Sequence, residues 1–249
     1  EVVARRMDRI ITGSRKSRES VRQAFALRED QITAIHDGVD TNVFRPMEVA
    51  KKPGMILFVG NSEDRNKGAR FFLEAIDVLK DEMEFRVTFV DNQKSLLKMA
   101  PRLVDEFGLN SRIDFTGRIP TPDLVRHYNE ARLFVTASVH EGFGLPLAEA
   151  MACGAPVVAT QIGAYEEIAT HGENAWLVPP RNPRALADAI RMLWNDEPLR
   201  ARLAANGRQR VLEAFNWRKA AEETLAVYEE VLPMKRRSFA MATSVPEQE

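Results

Sequence analysis

The chain has 249 residues, of which 45% are hydrophobic, and its 35 Lys and Arg nearly balance its 36 Asp and Glu. This composition supports a sizeable core and excludes wholesale disorder, while the balanced charge argues against a dedicated nucleic-acid binder, which usually carries a basic excess. A single cysteine, Cys153, excludes a disulfide framework within the chain, and no apolar run approaches the roughly 18 residues that span a bilayer.

The first elements predicted are a short strand, a helix and a second strand. Residues 8–12 form an apolar run, Ser14 is a suitable N-cap for a helix to about residue 27, and residues 31–35 form the second strand. The chain starts with Glu1 rather than Met, and the first strand has no partner before it. We therefore interpret residues 1–36 as the end of an incomplete domain, and residues 37–53, with their turn signals, as a linker.

From Met55 onward, apolar strands alternate with helices at short spacing. The strands are predicted at residues 55–59, 85–90, 112–115, 133–137, 156–160 and 175–178. The helices are predicted at residues 68–80, 95–107, 121–131, 146–153, 182–195, 197–214 and 217–231. This alternation predicts an α/β fold with a doubly wound parallel sheet, which binds ligands at the carboxyl ends of its strands. We assign residues 54–215 to this domain, residues 216–232 to a C-terminal helix and residues 233–249 to a disordered tail.

A glycine-containing segment, Ser-Val-His-Glu-Gly-Phe-Gly-Leu-Pro, follows one of these strands at residues 138–146 and opens a helix. Gly142 and Gly144 allow close backbone approach, and the first amides of a helix suit a phosphate. Glu141 and Glu149 flank this anion site, and carboxylates accept hydrogen bonds from vicinal hydroxyls well. Amides for phosphate beside carboxylates for hydroxyls indicate a sugar nucleotide. The alternative is that Glu149 is an ordinary acid near a helix start and that the glycines shape a turn.

The same glycines also imitate a dinucleotide fingerprint, which would make the protein a dehydrogenase. That fingerprint requires an acid at the end of the next strand to hold the ribose. Here the strand ends in Gln161, and the segment lies more than halfway along the chain rather than opening a domain. The sequence therefore disfavours the dehydrogenase hypothesis.

A second polar loop, residues 60–68, follows the strand at 55–59. Its two cations, Arg65 and Lys67, precede a helix, and beside an anion site they would clamp a diphosphate leaving group. A solvated loop with ordinary surface charges is the alternative for this segment by itself.

Residues 141–160, EGFGLPLAEAMACGAPVVAT, closely resemble the glutamate–seven–glutamate signature of the family 4 retaining glycosyltransferases. Residues 35–46, 59–68 and 173–179 resemble that family's interdomain segment, phosphate loop and last sheet strand, so the resemblance covers roughly residues 8–232. It implies the GT-B architecture, in which two Rossmann-like domains face each other across a cleft. The amino-terminal domain would hold the acceptor and the carboxyl-terminal domain the donor, and this chain resembles only the end of the first and the whole second.

The resemblance implies a role for each site residue. Glu141 would contact the hydroxyls of the transferred sugar, Glu149 would hold the ribose and Lys67 would bind the diphosphate. The remaining donor-binding candidates are Gly60, Asn61, Gly117, Ile119, His140, Gly142, Phe143, Gly144 and Leu145. Asn61 stands where the family often has Arg, so Arg65 is the candidate for a second positive charge. His140 is as well explained as a plain loop histidine, and Ala164 and Glu167 stand where the family has its second glycine and an acid.

The implied function is transfer of a hexose, with retention, from a nucleoside diphosphate sugar to an acceptor hydroxyl in polysaccharide or glycoconjugate biosynthesis. Glu141, Lys67 and Arg65 would be the catalytic residues, and the acceptor, a sugar or a glycolipid, would bind the missing domain. The resemblance implies no metal and no cofactor besides the donor. One alternative is an isolated nucleotide-sugar-binding module without transferase activity, and a second is a sugar-nucleotide epimerase.

Location is the last expectation from sequence. A cytoplasmic protein is the default, because no secretory signal is present. Seven basic residues between Arg5 and Arg22 raise the hypothesis of peripheral contact with the inner membrane surface or a lipid-linked acceptor. A solvated face is the more common explanation of such a stretch.

Overall fold

The computed structural model describes residues 2–91 and 99–243, and the side chains of residues 3–232 within those ranges. It opens with a small parallel pair of strands and their helices, α1 Val2–Arg5, β1 Ile10–Thr12, α2 Arg15–Phe25 and β2 Ile32–Ala34. Ile10 pairs with Ile32 in the register of β1 and β2. The N-cap of α2 is Ser14, as predicted, and its hydroxyl accepts a hydrogen bond from the Ser17 amide at 3.0 Å.

The main sheet has six strands, and every neighbouring pair in it is parallel. In chain order they are β3 Met55–Val59, β4 Arg86–Val90, β5 Ile113–Phe115, β6 Leu133–Thr136, β7 Val157–Thr160 and β8 Trp176–Val178. Their spatial order is β5-β4-β3-β6-β7-β8. The chain thus builds outward from β3 in one direction and then returns to place β6 on its other side. Such a topological switch point is where doubly wound sheets bind ligands.

Helices cover both faces of this sheet, as predicted. They are α3 Ala69–Leu79, α4 Met99–Glu106, α5 Thr121–Glu130, α6 Leu145–Ala152, α7 Gly163–Ile168, α8 Pro183–Asn195, α9 Glu197–Ala214 and α10 Trp217–Thr243. One buried cluster joins the sheet to α5, α6 and α9, and a second joins it to α3, α4 and α8. Because each face of the sheet has its own apolar core, the strands are apolar on both sides. The predicted α/β class with a parallel sheet is confirmed.

Two helices differ from the sequence prediction. The short helix α7 was not predicted, because Gly163 at its start favours a loop and the helix has fewer than two turns. The last helix continues through Pro233 to Thr243, so the prediction of a disordered tail is wrong for residues 233–243. The residues that follow Pro233 include Lys, Arg, Met and Ala, which favour a helix. Residues 95–98 of the predicted helix 95–107, and residues 244–249, lie outside the described residues.

The last helix returns to the small strand pair at the start of the chain. Ile35 packs in a cluster with Ala220 and Val227 of α10. Arg9 forms an ion pair with Glu230 of the same helix at 2.9 Å. The first and last segments of the described chain are therefore packed together. Across the described ranges, no helix has the length and apolar character needed to cross a membrane.

Candidate functional site

Two loops meet at the switch point, one after β3 and one after β6. The amide of Val139 in the second loop donates to the carbonyl of Asn66 in the first, at 2.8 Å. Gly68, with φ at +64°, ends the first loop, and a Cβ there would lie 1.9 Å from the carbonyl oxygen of Ala137. The two loops are therefore joined backbone to backbone, in a contact that only glycine permits at position 68.

Lys67 and Glu141, one from each loop, form an ion pair beside this contact. The Lys67 ammonium donates to both Glu141 carboxylate oxygens, at 2.8 and 2.9 Å. The Glu141 side chain is 10% exposed and that of Lys67 is 25% exposed, so water screens the pair less than it would on an open surface. The structure thus brings together the acid and the cation that the sequence places in separate loops.

Glu141 is also held from the protein side. The Ser138 hydroxyl donates to Glu141 Oε1 at 2.8 Å, and the buried Tyr165 hydroxyl approaches the same oxygen at 3.4 Å. Tyr165 Oη lies 2.9 Å from Thr136 Oγ1 and 3.1 Å from Ser138 Oγ. Burial, and then the nearby Glu141 carboxylate, raise the pKa of Tyr165 well above its usual value of 10, so the phenol stays protonated.

The amino end of α6 follows directly after Glu141. Gly144, just before the helix, has φ at 121°, a value that suits glycine. Within residues 2–91 and 99–243, no oxygen accepts a hydrogen bond from four successive amides, those of Gly142, Phe143, Gly144 and Leu145. Unpaired amides at a helix start, together with the helix dipole, favour a bound anion.

The one phenylalanine side chain among residues 138–146 points into the protein. The Phe143 ring is 3% exposed and packs against His36 and Phe215, with ring centroids 5.9 and 5.6 Å apart. A Cβ at Gly144 would lie 2.5 Å from Cε1 of Tyr165, so that ring packs directly under the glycine. Phe143 can therefore meet a ligand only through its backbone.

Glu149 projects from the second turn of α6, because the helix starts at Leu145 rather than at the predicted Pro146. The buried Tyr128 hydroxyl donates to Glu149 Oε2 at 3.0 Å. Burial raises the pKa of Glu149, and the hydrogen bond from Tyr128 opposes that rise. The two carboxylates of the predicted site are thus each contacted by one buried tyrosine.

The other candidates are placed less centrally. Arg65 and His140 are exposed, and neither forms an ion pair among the described residues. Asn61 shapes its own loop, since its side-chain oxygen accepts from the Glu63 amide at 3.0 Å, and the Gly60 amide donates to the carbonyl of Val90.

Two further candidates follow β5, at the edge of the sheet. Gly117 is buried with φ at 67°, and Ile119 packs partly buried against the core. Because β4 and β3 lie between β5 and β6, these residues are at some distance across the ligand edge from the Glu141 loop.

The segment before β3 also contacts this site, which the sequence did not predict. The Ser17 hydroxyl donates to the Gly142 carbonyl at 2.8 Å. Glu167 accepts hydrogen bonds from the Arg15 and Lys16 amides, each at 2.9 Å, and lies 2.7 Å from His36 Nε2. The sequence had singled out Glu167 only by resemblance. Its observed partners are the first two amides of α2 and the His36 side chain.

A cavity in another part of the described structure is a weaker candidate for the functional site. A cavity of about 620 Å³ lies at the amino ends of β3 and β4, lined partly by Lys52, Arg126 and Glu130. Its charges satisfy one another, since Glu130 pairs with both Lys52 and Arg126. It also lies at the edge opposite the carboxyl ends, where ligands of such sheets bind. Among the described side chains, no three acidic, histidine or cysteine groups come together as a metal site.

Comparison with known proteins identifies relatives of this chain. A mannosyltransferase of Mycolicibacterium hassiacum, MMP alpha-(1->4)-mannosyltransferase, is 31% identical over 237 residues, covering 92% of this chain and 56% of the relative. D-inositol 3-phosphate glycosyltransferase 1 of Catenulispora acidiphila is 27% identical, with 89% and 57% covered. The chain therefore spans a little over half the length of these relatives.

Solved structures and a family model agree with these relatives. Sucrose-phosphate synthase of Thermosynechococcus elongatus superposes with a TM-score of 0.82 at 27% identity, over 94% of this chain and 60% of that one. Anabaena HepE, solved with UDP and glucose, shares the fold with a TM-score of 0.79 at 20% identity, over 89% and 63%. The predicted GT-B glycosyltransferase fold is thereby confirmed. A model described as glycosyl transferases group 1 matches residues 40–210, more than half of this sequence, and the chain therefore belongs to that family.

Proposed function

We propose that this chain is the donor-binding part of a retaining glycosyltransferase that uses a nucleoside diphosphate sugar. The observation that carries this proposal is the Lys67–Glu141 pair, which lies at the switch point directly before four unpaired amides at the start of α6. A cation and free amides suit a diphosphate, and carboxylates suit sugar and ribose hydroxyls.

In this proposal the leaving diphosphate is stabilised by Lys67 and by the amides of residues 142–145. Arg65 is exposed at the same loop and adds positive charge when a donor is bound. Glu141 positions the transferred sugar through its hydroxyls, and Glu149 accepts from the ribose. Gly60 and Asn61 border the phosphates, His140 lines the cleft, and Gly117 and Ile119 border the base.

The acceptor side of the reaction is proposed to lie on the part of the protein that this chain does not span. Two relatives are a mannosyltransferase and an inositol-phosphate glycosyltransferase by name. Their names support a hexose donor and an acceptor hydroxyl on a sugar or polyol, with a glycolipid as an extension of that class. Retention of anomeric configuration follows from the family resemblance of residues 141–160.

Nucleotide binding to this chain is the first test. We expect calorimetric titration to show binding of a nucleoside diphosphate, with UDP tried first and GDP and ADP next. Lys67→Ala should weaken that binding at least about tenfold, because a hydrogen bond to a charged group is worth about 1.5–3 kcal/mol. Arg70→Ala is the matched control, since Arg70 follows the same loop but forms an exposed salt bridge with Glu74 of its own helix. No binding of any of the three at millimolar concentration contradicts the proposal.

Transfer is tested with the longer protein that contains this chain. Sugar transferred to an acceptor, with the anomeric configuration followed by NMR, supports a retaining enzyme. Nucleotide binding without transfer would instead support a binding module. Isomerised donor in the absence of any acceptor would support an epimerase.

A further inference from the structure

We propose that two buried tyrosines position the two carboxylates of this site and divide the donor between them. Tyr128 acts through Glu149 on the nucleoside half, and Tyr165 acts through Glu141 on the sugar half. This inference rests on the proposed function, and both tyrosines are positioning residues rather than catalytic ones.

The first observation is that each hydroxyl ends on a carboxylate of the site. Both tyrosines are fully buried, and a buried phenol must find a hydrogen-bond partner. Tyr128 Oη donates to Glu149 Oε2 at 3.0 Å. Tyr165 Oη reaches Glu141 Oε1 at 3.4 Å, and it also contacts Ser138, whose hydroxyl donates to the same oxygen.

The second observation is that the two supports are separate. Tyr128 belongs to α5 and packs edge-on against Phe134 of β6 and Phe44 of the linker. Tyr165 belongs to α7, and its ring fills the space under Gly144. Each tyrosine thus comes from a different helix and fixes a different acid, so the two hydroxyls can be removed one at a time.

Fixing a carboxylate has a direct consequence for binding. A free glutamate side chain loses rotamer entropy when a ligand hydroxyl orders it. A carboxylate that already accepts a hydrogen bond from the protein keeps its second oxygen directed at the ligand, so it loses less rotamer entropy on binding. Removing the tyrosine hydroxyl should therefore weaken only the part of the donor that the corresponding carboxylate contacts.

The experiment compares Tyr128→Phe, Tyr165→Phe and Tyr228→Phe by calorimetry with UDP and with UDP-glucose, replaced by GDP and GDP-mannose where the chain prefers guanine. The chain contains three tyrosines, and Tyr228 on α10 is 58% exposed, which makes it the matched control. We expect Tyr128→Phe to weaken both ligands by about fivefold. We expect Tyr165→Phe to leave the nucleotide within about twofold and to weaken only the sugar nucleotide, by about fivefold. Tyr228→Phe should change neither.

A second readout is the pH profile of nucleotide binding. The titratable groups facing Glu149 are Tyr128 and Cys153, and Cys153 in turn faces Lys51 and Arg208. Burial raises the pKa of Cys153 to about 12 and that of Tyr128 well above 10, so neither changes charge in the acid range. Loss of the Tyr128 hydrogen bond favours protonated Glu149. Tyr128→Phe should therefore shift the acid limb of binding to higher pH, and Tyr165→Phe should not.

The outcomes separate the two proposals. Wild-type protein that binds no nucleotide overturns both. Wild-type binding with equal losses for both ligands in both variants assigns the tyrosines to general packing and overturns this inference alone, as does binding that neither variant changes. If Tyr165→Phe loses its cooperative thermal transition, Ser138→Ala replaces it for the Glu141 link. If Tyr128→Phe does so, Glu149→Gln replaces it for the Glu149 link. The same split between the two ligands is expected.

Discussion

At the scale of single residues, the Lys67–Glu141 ion pair predicts opposite effects on nucleotide binding when one or the other side chain is removed. Lys67 Nζ contacts both carboxylate oxygens of Glu141. A diphosphate has to share or displace that carboxylate, because both anions seek the same ammonium group. Loss of the Glu141 carboxylate should therefore strengthen nucleotide binding and weaken the positioning of the sugar.

Glu141→Gln tests this directly. We expect UDP affinity to stay the same or rise by about two- to fivefold, since the amide no longer competes for Lys67 as an anion. Sugar transfer by the longer protein should fall by at least about a hundredfold, because the carboxylate that orients the sugar is lost. Calorimetry and a transfer assay measure the two effects. Loss of UDP binding in this variant would show that Glu141 holds the loop rather than the sugar.

Two neighbouring glycines make a second residue-scale prediction. Gly144→Ala introduces a Cβ 2.5 Å from the Tyr165 ring at a φ of 121°, so we expect it to lower the free energy of unfolding by about 2–4 kcal/mol. Gly142→Ala meets no atom within 4 Å and should change it by less than about 1 kcal/mol. Thermal or urea unfolding compares them. Equal losses would mean that the ring does not pack under Gly144 in solution.

The sequence predicted part of this site and not the rest, for physical reasons. Lys67 and Glu141 follow apolar strands, so their place at the ligand edge could be inferred from pattern. Tyr165 could not, because its hydroxyl partners lie 24–29 residues away and are reached only after α7 folds over β6. An apolar-patterned tyrosine predicts core packing, and nothing local distinguishes a core ring from one whose hydroxyl supports a carboxylate.

At the scale of elements, the amino end of α2 is attached by a carboxylate to α7, one of the helices that pack on the main sheet. Glu167 accepts from the first two amides of α2 and contacts His36. Burial works against ionisation of Glu167, but the hydrogen bonds from His36, Arg15 and Lys16 outweigh it and hold the pKa of Glu167 below its usual 4.5. The stability from this contact is therefore present above that value and is lost as the pH falls through the lowered pKa.

Glu167→Gln should remove this acid dependence. As the pH is lowered past about 4.5, we expect the melting temperature of the wild type to decrease more steeply than that of the variant, as the linkage relation requires. Glu166→Gln is the control, since Glu166 is the exposed neighbour and accepts a hydrogen bond from the Gln161 side chain rather than from α2. Scanning calorimetry between about pH 3 and pH 7, in steps of about one pH unit, measures the slope of melting temperature against pH. Identical slopes in wild type and Glu167→Gln would contradict the attachment.

Helices and strands were predicted where the apolar pattern is strong, and a helix was missed where the segment is too short to show a pattern. The apolar runs gave the six sheet strands, but no pattern in them says that β6 lies beside β3, since that order depends on how the helices pack between them. The helix α7 has six residues, too few for a helical period to repeat. Its buried residues, Ala164, Tyr165 and Ile168, become informative only once the sheet is in place.

At the scale of the whole molecule, α10 connects the end of the chain to the strand pair at its start. A parallel pair of two short strands is marginal in isolation and needs a covering element. The covering contacts described here are the Ile35–Ala220–Val227 cluster and the Arg9–Glu230 pair. The small strand pair is therefore covered by a helix that is distant in the sequence, since Arg9 and Glu230 are separated by 221 residues.

Truncation tests this dependence. We expect removal of all residues after 215 to raise amide exchange in β1 and β2 by about tenfold or more, while exchange in β3 and β6 stays slow. Truncation after residue 232 is the control, because these contacts all precede that position. Hydrogen exchange followed by mass spectrometry measures both. Unchanged protection of β1 after the larger truncation would show that α2 alone covers the pair.

The backbone contact between the two site loops has a consequence for how such a protein can evolve. The close approach of Gly68 to Ala137 and the hydrogen bond from Val139 to Asn66 set the distance between the loop after β3 and the loop after β6 through backbone atoms. The exposed side chains of Arg65 and His140 take no part in this backbone contact, so substitutions there leave the spacing of the two loops unchanged. Under the proposed function, relatives that keep this backbone contact can therefore differ in the donor they prefer while holding the diphosphate in the same way.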